Sequence, residues 1–264
     1  THHLLHTNRN KDQVLVMSSE YKLYKNKKVR FDLLLVIDLN GNILKRFSFY
    51  KHRKDFLQRV PGHKVGKKVQ ASKVEWEFSH ANSFYEIDKN KLSSKYASFA
   101  QGNYLINANL LNLIFVIDPA MTKILWSMSH TETELGEPNI HDVQMQKSGR
   151  LILFANRGEK NLYSTIDEID PIAKNREIIY KATPPESYYV KWEGSVKRLS
   201  EKELLISQAR TQEIKPGGRI VHLASGKVRF WPEQLSPFAL KASTNGPVIY
   251  PINLTAFLKN NQGL

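Results

Sequence analysis

Short apolar runs recur along the chain, each leading through a polar stretch or turn into a second run and then a third. The first runs are VLVM (14–17), YLIN (104–107), LILF (151–154) and LLIS (204–207). The second are LLLVID (33–38), LIFVID (113–118), YSTIDEID (163–170) and RIVHLA (219–224). After the turns LNGN, PAMT, PIAK and SG come the third, ILKRFSF, ILWSM, REIIY and KVRFW. Runs this short, rich in branched and aromatic residues and bounded by turn residues, predict strands. Asn40-Gly41 is the clearest hairpin signal, since both turn positions accept positive φ. Asp118-Pro119 and Pro216-Gly217-Gly218 mark further turns. No helical period of ten or more residues is sustained anywhere. The pattern therefore predicts an all-β chain built from four copies of a three-strand unit, each too small to bury its own face. Such recurrence is the mark of solenoids and propellers, and a single β-propeller domain over residues 1–264 is expected.

Glu137–Gly158 (EPNIHDVQMQKSGRLILFANRG) shows the unit at its fullest. A histidine–aspartate pair opens it, Lys147-Ser148-Gly149 turns, an apolar strand follows, and Asn156-Arg157-Gly158 closes it. His3, His80 and Ser195 stand at similar openings, and the four are taken as equivalents. His2-His3 reads either as a terminus or as an inner-strand segment that presents imidazoles. Upstream of His80, Val74, Trp76 and Phe78 alternate with Glu75, Glu77 and Ser79 as in a half-buried strand. Asn107 and Asn109 fall within a strand region, where asparagine is unusual. The tail holds one more strand candidate, Pro247–Pro251, and an amphipathic turn, Leu254–Leu258.

Composition narrows the class. A chain of 264 residues with 41% hydrophobic and 24% charged residues can bury a sizeable core. No apolar run approaches the ~20 residues of a membrane span. With no cysteine, disulfides and thiolate sites are excluded. The formal net charge of +14 fits two readings: a solvated lysine-rich surface, or attraction to an anion. The excess is concentrated in Tyr21–Arg30 (YKLYKNKKVR) and Lys51–Lys73, both expected as long loops. The second is expected to be an exposed basic insertion that proteases reach first. Only Tyr21 and Tyr24 accompany this charge with aromatic rings, which disfavours nucleic acid. An anionic membrane surface is a further partner that the basic loops could meet.

Arginine recurs too. Arg157 follows His141 by 16 residues and Arg210 follows Ser195 by 15, so LILFANR and LLISQAR superpose. Two readings fit: each arginine pairs with an acidic loop at a strand end, or the pair forms an anion cluster. His80 and His141 likewise read either as loop-bonding histidines or as site groups. His52 and His63 lie in the basic stretch and are expected in solvent, while His222, in mid-strand, reads as structural. No metal-ligand spacing, phosphate-cradling glycine loop or nucleophile elbow is present, so neither metal nor cofactor is expected.

HANSFYEID, NIHDVQ with SGRLILFANRG, the VID-turn-ILW segments, and GSVKRL before LLIS resemble the arylsulfotransferase-like family over roughly residues 1–235. The resemblance implies a six-bladed β-propeller, of which four blades are readable here. It implies transfer of a sulfuryl group from a phenolic sulfate to a phenol without an adenosine-phosphosulfate donor, through a transiently sulfated histidine. It also implies an extracytoplasmic place, with any signal or anchor upstream of the sequence. The chemistry asks for the same residue types on physical grounds. A sulfuryl group in flight needs cationic donors, an imidazole suits the nucleophile, and a phenol needs a base. His141 is then the favoured nucleophile or base, with His80 its partner and Arg157 the clamp on the anion. His3, Asn82, Asn156, Ser195 and Arg210 are expected to bind a small anionic or phenolic ligand. Ser195, where a histidine is expected, leaves open a non-catalytic propeller that binds an anionic ligand, glycan or protein.

Overall fold

Branched and aromatic runs pair into strands here because each is closed by a turn whose polar side chains satisfy the backbone. The computed structural model describes residues 5–70, 73–132, 139–156, 163–181, 194–208 and 217–231. Strand accounts for 53% and helix for 8%, which makes the chain all-β.

The strands, in order, are β1 (Leu5–Thr7), β2 (Gln13–Tyr24), β3 (Lys27–Asp38), β4 (Ile43–Ser48), β5 (Gly66–Gln70), β6 (Lys73–Glu77), β7 (Ala81–Glu86), β8 (Tyr104–Ala108) and β9 (Leu113–Ile117). They continue as β10 (Ile124–Ser129), β11 (Ile140–Met145), β12 (Leu151–Ala155), β13 (Thr165–Ile169), β14 (Arg176–Lys181), β15 (Ser195–Ser200), β16 (Glu203–Gln208), β17 (Gly217–His222) and β18 (Val228–Trp231). One α-helix, α1 (Arg53–Arg59), lies between β4 and β5.

Four sheets result. Three are four-stranded, β10-β9-β8-β7, β11-β12-β13-β14 and β15-β16-β17-β18, and each is a meander of sequential strands. The first sheet carries the same meander, β1 to β4, with the β6-β5 hairpin added along β3. The repeated unit therefore has four strands, not three. The strand missing from the sequence pattern is the first, because β7 (ANSFYE) and β11 (IHDVQM) bury polar residues.

The third-to-fourth turn of each unit is built alike. Asp38, Asp118 and Asp170, each at or just past the end of the third strand, accept backbone N–H groups of the turn that follows. In the fourth unit His222 takes that place, its Nδ1 2.9 Å from the Ser225 hydroxyl. Gly41, Gly149 and Gly226 supply positive φ at hairpin turns, as Asn40-Gly41 and Ser148-Gly149 foretold.

The chain divides into two units, Thr1–Ala155 with Asp167–Ile178, and Asn156–Ile166 with Ile179–Leu264. Within the first, the second and third sheets share a core of Leu105, Ile114, Val116, Ile140, Leu151, Leu153 and neighbours, all essentially without solvent contact. The first and second sheets meet through phenylalanines 47, 49, 56 and 115, with ring centroids 4.9–6.3 Å apart. In the second, β16 buries Leu204, Leu205 and Ile206. Burial is greatest in the inner strands of a sheet: β8, β9 and β12 are wholly buried, β7 and β11 only in part, and β14 is largely exposed.

The two basic stretches are not loops. Tyr21–Arg30 forms the far ends of β2 and β3, paired residue by residue to Tyr24↔Lys27. Lys25 and Asn26, at φ 49 and 60°, make the two-residue turn. The stretch from Lys51 contains α1, whose Phe56 is fully buried, and β5, and it ends on the first residue of β6. His52 and His63 are not simply in solvent either. His52 stacks on Phe47 with centroids 4.2 Å apart, and His63 meets Phe78 edge-on at 5.0 Å. Burial holds the His63 imidazole below its ordinary pKa, and the Lys25 charge pushes the same way. The candidate segments Pro247–Pro251 and Leu254–Leu258 lie outside the described residues.

Candidate functional site

The polar residues buried on the first strands are held by a bulge and by the neighbouring sheet. In β11 the pairing runs Ile140↔Ala155 and His141↔Phe154, then slips to Gln144↔Ile152. In β7 it slips between Ala81↔Ala108 and Ser83↔Asn107. Bulges of this kind re-aim side chains and are frequent beside functional sites. Asp142 sits in the β11 bulge at φ 52°, in the left-handed region.

Register also decides which openings match. His141, Ser83 and Ser195 pair with the next-to-last residues of β12, β8 and β16, namely Phe154, Asn107 and Ser207. His141 and Ser195 are thus equivalent, as expected. His80 is not: it precedes β7, and Ser83 occupies the matching register. His80 lies three residues ahead of that register, at the entry to β7.

The peptide before His141 is clamped. The Ile140 carbonyl accepts the side-chain amides of Asn82 at 3.0 Å and Asn107 at 2.7 Å. The Asn107 Oδ1 in turn lies 2.8 Å from His130 Nε2, which makes the imidazole the donor there. Burial drives the His130 pKa down to about 3, so the ring is neutral. Asn109 Nδ2 donates to Asn139 Oδ1 at 3.0 Å, and Val143 N–H to Ser83 Oγ at 3.3 Å. Asparagine inside β8 is explained: its amide ties the neighbouring sheet in place. His141 itself is 9% exposed.

The residue after His141 is held as firmly. The Tyr85 hydroxyl donates to Asp142 Oδ1, and Gln144 Nε2 donates to Asp142 Oδ2 at 3.0 Å. The His6 ring lies 4.0 Å from that of Tyr85. Tyr85, Asn107, Gln144 and His6 were not read as site residues from the sequence. Only Asn107 left a signal, as a buried amide in an apolar run.

His80, at φ 50°, places Nδ1 2.8 Å from Glu77 Oε2, and Glu77 also pairs with Arg30. Its carbonyl accepts Asn109 N–H at 2.9 Å. Next to it, Asp32 accepts the Ser79 hydroxyl at 2.5 Å and Ala81 N–H at 2.7 Å. Asn156 follows β12 and is fully buried. Ser195 opens β15, with its N–H and hydroxyl both on Ser207 Oγ at 2.9 and 2.8 Å. His3, Arg157 and Arg210 lie outside the described residues. Among the described residues, no group of three or more histidine and carboxylate side chains could hold a metal ion.

Four-stranded antiparallel meanders with buried polar first strands define a β-propeller protein. The chain belongs to the arylsulfotransferase family, whose model, described as Arylsulfotransferase (ASST), matches residues 2–223. No curated protein sequence matches it. Among solved structures, Drosophila Semaphorin 2a is similar over 94% of this chain and 53% of its own, at 8% identity and a TM-score of 0.36. The chain thus spans about half the length of that structure's chain.

Proposed function

We propose that this arylsulfotransferase-family chain moves a sulfuryl group from a phenolic sulfate to a phenolic acceptor, with His141 as the nucleophile. The observation that carries the reading is the clamp on both sides of His141. Asn82 and Asn107 fix the carbonyl before it, and Tyr85 and Gln144 fix the aspartate after it. A nucleophile held in place before substrate arrives lowers the barrier through orientation alone.

In the first half-reaction an imidazole nitrogen of His141 attacks sulfur as the S–O bond to the aryl group breaks. The phenolate leaves and takes a proton. In the second, the acceptor oxygen attacks the sulfur, the N–S bond breaks, and the phenol proton passes to a base. His80 is suited to that role: a Nδ1–H donated to Glu77 fixes the tautomer with the basic lone pair at Nε2. Arg157 is assigned to the sulfuryl oxygens, where a bidentate fork offsets charge best. His3, Asn82, Asn156, Ser195 and Arg210 complete the proposed substrate contacts.

Incubation with 4-nitrophenyl sulfate and a phenol acceptor is expected to release nitrophenol, and His141→Ala to abolish that release. Binding of the aryl sulfate without turnover would favour the other reading, a propeller that only binds an anion. The serine at the His141-equivalent position of the fourth sheet is the observation on its side. Full turnover by His141→Ala would move the nucleophile elsewhere.

A further inference from the structure

The β2–β3 hairpin runs on beyond the part that β4 covers, and there β6 pairs with β3 at Val29 and Arg30. Each strand has 12 residues, against 5 in β8, β9, β12 and β13. β4 covers β3 only from Leu33 to Ile37. The excess carries Tyr21–Lys28 out to the Lys25-Asn26 turn.

Four lysines ride on aromatic rings along this extension. Lys22 lies 5.7 Å from the Tyr50 ring, Lys25 5.5 Å from Tyr24, Lys27 3.3 Å from Trp76 and Lys28 5.2 Å from Tyr21. A ring attracts an ammonium without neutralising it. Lys22 also has a carboxylate, Glu20 at 3.3 Å. Among the described residues Lys25, Lys27 and Lys28 have none within ion-pair distance. By contrast, Arg30 is compensated by Glu75 and Glu77. Along this hairpin, among the described residues, the uncompensated charge therefore lies at the tip.

Beside it stand Leu23, 75% exposed and the most exposed large apolar side chain described, and Tyr21, 49% exposed. Leu23 is paired directly with Lys28, so the leucine and this lysine share one face. Moving that side chain from water into an apolar layer is favourable.

We propose that the hairpin tip docks on an anionic lipid bilayer. Lys28, on the Leu23 face, and Lys25, at the turn, meet lipid phosphates, Lys22 and Lys27 add attraction from the opposite face of the hairpin, and Leu23 enters the headgroup–acyl boundary with the Tyr21 ring beside it. Lysines near an anionic surface each contribute attraction that falls off within a Debye length. Tyrosine settles where one end is wet and the other apolar. A nucleic acid or sulfated glycan would use the lysines but gives Leu23 no role, which is why the bilayer is preferred. The inference is independent of the sulfuryl-transfer reading.

The test is co-sedimentation of the full chain with phosphatidylcholine vesicles containing about 30% phosphatidylserine, with pure phosphatidylcholine and immobilised heparin as the other arms. Binding is expected on the anionic vesicles and not on the neutral ones. Removing lysines singly and together (Lys25→Gln, Lys27→Gln, Lys28→Gln) is expected to weaken it about fivefold per lysine at low salt. Leu23→Ser is expected to weaken vesicle binding at least about fivefold while leaving heparin retention unchanged. All these side chains are at the surface, and thermal melts check that each variant folds. Equal binding to neutral vesicles would overturn the proposal, as would indifference to the lysine changes. Retention on heparin with no vesicle binding, or a Leu23→Ser protein that binds vesicles normally, would replace the bilayer with a soluble polyanion.

Discussion

Two amides converging on the Ile140 carbonyl show how single residues set up the candidate site. A carbonyl oxygen has two lone pairs, and just ahead of the β11 bulge Asn82 and Asn107 each donate to one. The bulge itself needs support, because Asp142 holds a left-handed φ that costs a non-glycine residue roughly 1–2 kcal/mol. Tyr85 supplies it with a hydrogen bond to the Asp142 carboxylate. Tyr85→Phe keeps the ring and its contact with His6 but deletes that bond. Leaving a buried acceptor without its partner costs about 1–3 kcal/mol, and urea denaturation should show a loss in that range. If the bulge positions His141, the same variant lowers kcat for sulfuryl transfer with KM nearly unchanged. A stable variant with normal kcat would separate the latch from the chemistry. The histidine–aspartate pair was legible in the sequence as an unusual opening. Tyr85 was not, since a tyrosine in SFYE reads as any strand residue, and its partner lies far away in the chain.

At the scale of elements, turns were read most reliably and the first strands least. Asx and glycine chemistry is local, so Asn40-Gly41, Asp118-Pro119 and Ser148-Gly149 announce their hairpins whatever surrounds them. First strands such as IHDVQM bury side chains that a hydrophobicity pattern assigns to loops, because their polar groups are satisfied across sheets. The basic stretch after Lys51 misled for the opposite reason. It has few apolar residues, yet one of them anchors it: Phe56 stacks on Phe49 at 4.9 Å and meets Phe115 edge-on at 5.2 Å. Truncating a buried phenylalanine costs about 3–5 kcal/mol. Phe56→Ala should therefore release α1 and speed tryptic cleavage within Lys51–Arg59 well above the wild-type rate. Mass spectrometry of a limited digest reads this directly. Equal cleavage of the two proteins would show that α1 opens without help and that Phe56 does not hold it.

For the whole molecule, the four-fold recurrence was legible because the second strand of each unit carries a short apolar run, VLVM, YLIN, LILF or LLIS. How the fold responds to pH was not, since it depends on which histidine is sealed off. His130 is 1% exposed, donates to Asn107, and titrates near pH 3 against an ordinary value of 6.5. A histidine whose folded pKa is depressed binds its proton more readily when unfolded. Its contribution to stability is complete above the unfolded value and is lost as pH falls from about 6.5 towards 3. His63, also shifted down by burial, acts in the same direction. Carboxylates begin to titrate below about pH 4.5, so the window between about 6.5 and 4.5 isolates the histidines. There the free energy of unfolding should fall by about 1 kcal/mol per pH unit for the His130 proton. His130→Gln keeps a donor for Asn107 but has nothing to titrate. Its urea midpoint at neutral pH is expected to be lower, through imperfect packing, and its slope in the acid window shallower by one proton. Parallel pH profiles for the two proteins would mean that the His130 ring takes up its proton without opening the core it shares with Asn107.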